Sequence, residues 1–262
     1  MPHLRYEIEQ GLATIILNNP PQNRLSPQTA DELSEIVYVV GRSEARAVLL
    51  KAEGPNFSFG GDITPWPAMS VHELRTRFER YFSVFNEFER IPIPTVAAVQ
   101  GLCFGGGLEL AVRADVIFAS ASARFGHPEQ SIGIVTLLGG VYRIAERAGR
   151  SRAIEWALTS EQVPATVMER YGVVNRVVED TALIEEATAF AKRLAQGPTR
   201  AHAAHKTLLR TWAAGGLAAA DEAIFDIAMP LFETEDIKSA LPLAIEALRA
   251  GKPRPVFAFK GQ

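Results

Sequence analysis

The stretch Gly101-Leu-Cys-Phe-Gly-Gly-Gly-Leu-Glu-Leu-Ala111 sets three consecutive glycines between two apolar runs. Pro94 to Gln100 reads as a strand and Leu108 to Val112 as the start of a helix. Glycines strip side chains from such a junction, so a ligand or another segment can approach bare backbone. Amides at a helix start lack partners and point outward, and the helix dipole adds positive potential there. That combination suits a phosphate or a developing oxyanion. Glu109 falls in the first helical turn, within reach of whatever the amides hold. A plain glycine turn that packs helix against sheet, with Glu109 as dipole partner, explains the same residues without chemistry.

Two other segments have related features. Phe57-Ser-Phe-Gly-Gly-Asp-Ile63 follows an apolar strand and offers a second exposed backbone at Gly60-Gly61, so the amides of Gly61 and Gly106 could serve one oxygen. Arg124-Phe-Gly-His-Pro-Glu129 leads past a proline to a carboxylate. Glu109 and Glu129 could then form a pair for acid/base work. Taken singly each piece is weak, because Gly-Gly-Asp turns and glutamates are common. Cys103, the sole cysteine, reads as a small buried residue rather than a nucleophile.

The elements that must position these groups follow from periodicity and turn chemistry. Residues 4–9 and 12–18 read as a hairpin around Gln10-Gly11. Ser26-Pro27 is an N-cap followed by a first-turn proline, opening a helix with Ala30, Leu33, Val37 and Val40 on its apolar stripe. Ala47 to Ala52 is a short buried strand. A long amphipathic helix carries Leu74, Phe78, Phe82, Phe85 and Phe88 on about one face. Beyond the glycine turn, strands are expected at 115–120 and 123–126. Helices follow at 140–148, 151–159 and 164–171, then a strand at 173–178 and helices near 181–196 and 199–214. Residues 217–249 keep helical periodicity, which Pro230 and Pro242 divide into at least two pieces. A strand-rich first half and a helical last third imply an α/β fold with a helical C-terminal region.

Composition narrows the function classes. Hydrophobic residues make up 47% and charged residues 22% of the 262, an ordinary globular balance with room for a sizeable core. A formal charge of -3 and a pI near 6.0 argue against a nucleic-acid surface. No run reaches the length of a membrane span, and the first residues show no signal-peptide core, so a cytoplasmic enzyme or binding protein is expected. A single cysteine excludes an intrachain disulfide and a thiolate cluster, and His and Cys spacing suggests no metal or redox cofactor.

The three segments, in this order and spacing, resemble the crotonase (enoyl-CoA hydratase/isomerase) superfamily. The match runs through Phe-Ser-x-Gly-x-Asp-Ile, Gly-x-x-x-Gly-Gly-Gly-x-Glu-Leu-Ala and Ala-Arg-Phe-Gly-x-Pro-Glu. It continues in Ala-Gly-Arg-Ser-Arg-Ala at 148–153 and Tyr-Gly-Val-Val-Asn-Arg-Val-Val at 171–178. The resemblance implies a ββα spiral core over residues 1–196 that holds the active site. It also implies a helical oligomerisation region over 197–262 and a homotrimer or dimer of trimers, which the apolar stripe of the last helices suits. The amides of Gly61 and Gly106 would hold a thioester oxygen as it becomes an enolate, while Glu109 and Glu129 would activate water and handle the Cα proton. Gly60, Asp62, Ile63 and Gly105 flank these positions, and Arg24 is the candidate for the CoA phosphates. Coenzyme A enters as part of the substrate, and no other cofactor is implied.

Departures from the family pattern bear on the substrate. Thr64 stands where the family often has a lysine near CoA. Leu137 and Leu138 replace small residues near the acyl pocket, against a short crotonyl substrate, and Phe59 and Trp66 could line that pocket or belong to the core. His127 is a less suitable base than Glu129. Asp62 and Asp115 match family positions but are also explained as turn caps. Phe259-Lys260 resembles the family's aromatic-basic tail. The resemblance favours an enoyl-CoA hydratase, with an isomerase, another crotonase-type acyl-CoA reaction or a non-catalytic acyl-CoA binder as alternatives. Clp-type serine proteases share the implied fold, yet no Gly-x-Ser-x-Gly elbow is present.

Overall fold

The computed structural model describes residues 1–262. The chain begins with β1 (Leu4–Glu9), β2 (Leu12–Leu17), α1 (Pro27–Val40), β3 (Ala47–Ala52) and α2 (Val71–Glu89). β4 (Thr95–Val99), β5 (Leu102–Phe104), α3 (Gly106–Ala111), β6 (Val116–Ser120) and β7 (Arg124–Gly126) form its middle. Then come α4 (Gly140–Ala148), α5 (Arg150–Thr159), β8 (Val163–Pro164), α6 (Ala165–Arg170), β9 (Arg176–Val178) and α7 (Leu183–Ala195). α8 (Thr199–Ala228) and α9 (Glu235–Arg249) complete it.

A six-stranded sheet in the order β1-β2-β3-β4-β6-β9 is antiparallel only at the β1/β2 hairpin and parallel elsewhere. Its parallel part is buried on both faces, which explains the near-continuous apolar runs. Alternate residues serve two cores. Val48, Leu50, Ala97, Val99, Ile117 and Ala119 face the larger one. Leu49, Val96, Ala98 and Phe118 face Leu183, Ala187, Ala191 and Ala195 of α7. The small residues of α7 let helix and sheet approach closely.

A second sheet, β5-β7-β8, lies alongside. β4 belongs to the large sheet, β5 to the small one, and α3 follows; β6 and β7 repeat the pattern. After β3, Ser58 bridges Cys103 in parallel before α2 begins. Each turn of the chain thus leaves a strand in each sheet and then a helix, the expected ββα spiral. It sets the segments after β3, β5 and β7 side by side.

Several boundaries differ from the sequence reading. β5 lies within the glycine-rich junction, because its three residues pair with β7 rather than showing a pattern of their own. The strand expected at 173–178 is confined to Arg176–Val178. α2 has two apolar sides instead of one: Tyr81, Val84, Phe85 and Phe88 are buried, while Leu74, Phe78 and Phe82 border an open groove. α8 runs past 214 and is bent by Gly216 at φ 73°, ψ −168°. The break expected at Pro230 is present, at Met229–Glu233, whereas Pro242 sits inside α9 without ending it. No residue of α8 is buried, and it exposes Leu209, Trp212, Leu217, Ile224 and Phe225. No helix is long and apolar enough to cross a membrane.

Candidate active site

The glycine amides meet where the first two spiral turns touch. Ser58 N–H donates to the Leu102 carbonyl at 3.1 Å, and Phe104 N–H to the Ser58 carbonyl at 2.8 Å. The Ser58 hydroxyl donates to the Asn23 carbonyl at 2.7 Å and accepts from Gly60 N–H at 3.0 Å. These bonds run the 57–61 segment along β5. A Cβ on Gly60 would lie 2.9 Å from the Gly106 nitrogen, and one on Gly106 would lie 3.7 Å from the Gly61 nitrogen. Neither the Gly61 nor the Gly106 amide donates to another group of the chain. Gly107 explains the third glycine: a Cβ there would stand 2.6 Å from that of Ser58.

Both carboxylates reach the same cleft, which Leu25, Gly61, Trp66, Gly106, Glu109 and Glu129 help to line. Glu109 is buried in α3, and its Oε1 accepts from Leu138 N–H at 2.7 Å and Gly140 N–H at 2.9 Å. Burial pushes its carboxyl up to about 7; the two amides pull the other way, and the Glu129 charge adds to the rise. Glu129 is the second residue of the short turn Pro128–Ile132, and partial burial raises its pKa too. Its Oε2 has no hydrogen-bond partner, and a Cβ on Gly105, which adopts φ +51°, would lie 2.8 Å from its Oε1. Gly105 therefore leaves room for this carboxylate at a backbone angle that favours glycine. The cleft holds about 40 Å³ beside these groups, space for roughly two or three waters.

The other expected site residues are divided by the fold. Trp66, Leu137 and Leu138 line the cleft, with Leu138 buried and Leu137 exposed. Asp62 reaches its edge, but its Oδ1 accepts from Thr64 N–H at 3.2 Å and from the Thr64 hydroxyl at 2.7 Å, the turn-capping role. Gly60 and Gly105 shape the backbone behind the amides. Phe59 packs toward Phe104 with ring centroids 6.3 Å apart and does not line the cleft. Ile63 is exposed outside it, and Arg24 donates to Gln22 at 2.6 Å. Asp115 caps no turn. It joins β4 to β6 by accepting from Thr95 N–H at 2.8 Å, and pairs with Lys206 at 2.7 Å. Asp236 ties the Phe259-Lys260 tail to its own α9, accepting from Lys260 N–H at 2.7 Å. Burial pushes His127 down to about 4, so it stays neutral at pH 7.

Residues the sequence did not mark complete the site. Leu25, Phe78, Tyr81, Ile134 and Val135 line the cleft. Past Trp66, Phe78, Ile134 and Leu137 it meets an apolar groove of about 660 Å³ along α2, bordered by Leu74 and Phe82. The phenylalanine spacing of α2 was a usable signal, but it was read as core. Arg113 was also missed: its buried guanidinium donates to the Leu138 carbonyl at 2.6 Å.

The model of the family described as enoyl-CoA hydratase/isomerase matches residues 7–250. The chain is 32% identical over 249 residues to the short-chain-enoyl-CoA hydratase of Clostridium acetobutylicum, covering 92% of this chain and 93% of that protein. It is 29% identical to the 1,2-epoxyphenylacetyl-CoA isomerase of Escherichia coli, covering 76% of this chain and 78% of that one. The crystal structure named enoyl-CoA hydrates subunit I from Geobacillus kaustophilus superposes with a TM-score of 0.89 at 30% identity, covering 99% of this chain and 98% of that one.

Proposed function

The chain belongs to the enoyl-CoA hydratase/isomerase family, and from that premise we propose that it is an enoyl-CoA hydratase, adding water across the double bond of a 2-enoyl-CoA thioester. The observation that carries this reading is the shared cleft: two raised carboxylates face two unpaired amides. Water addition needs one group to take a proton from water and another to give one to Cα. A buried and a half-buried carboxylate whose charges repel favour a state with one proton between them, which makes one an acid and the other a base. The water oxygen bonds to Cβ, the double-bond electrons pass to the thioester oxygen, and the enolate then takes a proton at Cα. The Gly61 and Gly106 amides hold that oxygen while it is charged, each contributing about 2.7–4 kcal/mol in comparable sites.

The acyl tail has one apolar exit, over α2. Leu138 and Leu25 close in on Gly106, a Cβ there lying 3.7 Å and 3.0 Å from their methyl carbons. Beyond them Leu137, Trp66 and Phe78 open into the groove. This favours acyl groups longer or bulkier than crotonyl. Copies of the chain assemble, in this reading, through the exposed apolar residues of α8.

A panel of 2-enoyl-CoA thioesters from C4 to C12 tests the proposal by loss of the conjugated-thioester absorbance. Hydration is expected, with kcat/KM rising up to about fourfold per methylene while the groove fills. Migration of the double bond without uptake of water would put the isomerase reading in its place. Turnover of no member would overturn the hydratase.

A further inference from the structure

Two arginines, one in the turn after α3 and one on α4, converge on one carboxylate of α2, and both also hold the turn that binds Glu109. Arg113, just after α3, donates through Nη1 to Glu89 Oε2 at 2.9 Å and to Asn86 Oδ1 at 2.6 Å. Through Nη2 it donates to the Leu138 carbonyl at 2.6 Å. Arg143, on α4, donates through Nε to Glu89 Oε1 at 2.7 Å and through Nη2 to Oε2 at 2.5 Å. Its Nη1 reaches the Gly139 carbonyl at 3.3 Å. The peptide unit held through the Gly139 carbonyl carries Gly140 N–H, and the one held through the Leu138 carbonyl follows directly on Leu138 N–H; these are the two donors to Glu109 Oε1.

From this continuous set of bonds we infer that Glu89, Arg113 and Arg143 form a clamp that shapes the Leu138–Gly140 turn and thereby aims the Glu109 carboxylate. The three are positioning residues, and the inference rests on the reading of Glu109 as a working acid/base. Both amides go to Oε1, so the clamp leaves Oε2 as the oxygen free for substrate. The side chain of Arg113 is fully buried and its guanidinium is held at both ends. Such an arginine is a rigid two-ended spacer, which a lysine cannot reproduce. α2 also borders the apolar groove through Asn86. The wall of the groove and the aim of Glu109 therefore share one anchor.

The charged groups around Glu109 make the clamp separable from plain electrostatics. Glu129 faces it from the Pro128–Ile132 turn and Arg113 from the turn after α3, with Glu89 on α2 and Arg143 on α4 behind the Leu138–Gly140 turn. His127 lies across Gly140, where a Cβ would meet His127 Cε1 at 2.5 Å and Glu109 Cγ at 2.7 Å, and it is neutral. Removing the negative charge of Glu89 by Glu89→Gln would lower the pKa of Glu109 if charge alone acted. Loosening the clamp frees the two amides and raises it. The two accounts predict opposite signs.

The experiment is a carboxyl ¹³C NMR titration of Glu109 in full-length protein labelled at glutamate, with Glu109→Gln to identify the signal. It needs no turnover, so it stands apart from the fate of the hydratase reading. Glu89→Gln is expected to shift Glu109 upward by about one unit. Arg143→Lys, which conserves charge, should shift it the same way by less and covers the case in which Glu89→Gln does not fold. On a hydrated substrate the acid limb of kcat should move up with it, while KM changes less than threefold. A downward shift in Glu89→Gln, or no shift in a folded Arg143→Lys, would overturn the clamp.

Discussion

On one side of the cleft the groups proposed to act are main-chain amides; on the other they are carboxylates. The amides of Gly61 and Gly106 are set by backbone ladders between neighbouring turns of the spiral, such as Leu25 N–H to the Gly60 carbonyl at 2.9 Å. They do not titrate, and their placement costs little once the sheets have formed. The carboxylates, Glu109 buried and Glu129 half-buried, are both raised above the ordinary range. The rise of Glu109 to about 7 comes from the same burial that makes its charged form unfavourable. One side is stabilising architecture; the other stores a cost that chemistry uses.

The largest effects should come from the carboxylate side. Glu109→Gln and Glu129→Gln keep the size of the side chain but cannot hold the transferable proton, so each is expected to lower hydration roughly 100- to 10,000-fold. Acyl-CoA binding should survive in both. The double variant should be barely slower than the worse single one, because the two act as a unit. Intact hydration in Glu129→Gln beside its loss in Glu109→Gln would break the pair and favour one-carboxylate chemistry.

Next in size is the amide side. In Gly106→Val the first added carbon already meets Leu25 at 3.0 Å, and the branches press toward the Gly61 amide. A loss of roughly 100- to 1000-fold in kcat is expected, with weaker binding of CoA thioesters as well. Wild-type turnover by a folded variant would show that the oxygen is held elsewhere.

The smallest effect is thermodynamic and tests the contrast directly. The pKa of Glu109 rises from 4.5 to about 7 on folding. The folded state therefore binds its proton more tightly than the unfolded chain. Below pH 4.5 the burial is free of this penalty; as pH rises through 7, stability of about 3 kcal/mol is lost. Glu109→Gln should match the wild type in denaturant melts near pH 4 and exceed it at pH 8. Gly106→Val should show no such pH-dependent gain. A flat difference between pH 4 and 8 for Glu109→Gln would mean that Glu109 is not held in the way described.

Much of the site was legible because it is local. Three glycines and a glutamate within one turn define a helix start whatever surrounds it, so Gly105, Gly106 and Glu109 could be picked out beforehand. The Pro128–Glu129 turn and the Gly60-Gly61 bend are short-range features of the same kind. Phe59 and Ile63 flank the glycine bend in sequence but do not line the cleft, since adjacency along the chain says little about direction once a turn intervenes. Trp66 does line the cleft as expected, whereas Phe78 was not marked for it: apolar spacing marks burial but not whether the neighbour is core or cleft.

By itself the sequence determined the alternation of strand and helix, the capped helix start at Ser26, the bare backbone at both glycine turns and the presence of two candidate carboxylates. These depend on bonds and contacts within a few residues. Only the tertiary structure decided that Gly61 and Gly106 lie together, that Glu109 draws two amides from a turn about thirty residues downstream, and that Arg113 and Arg143 meet on Glu89. It also decided that β5 is a strand and that Pro242 stays within α9. Each of these depends on which distant segments exclude water from one another. That is a property of the packed spiral, and no window of the chain contains it.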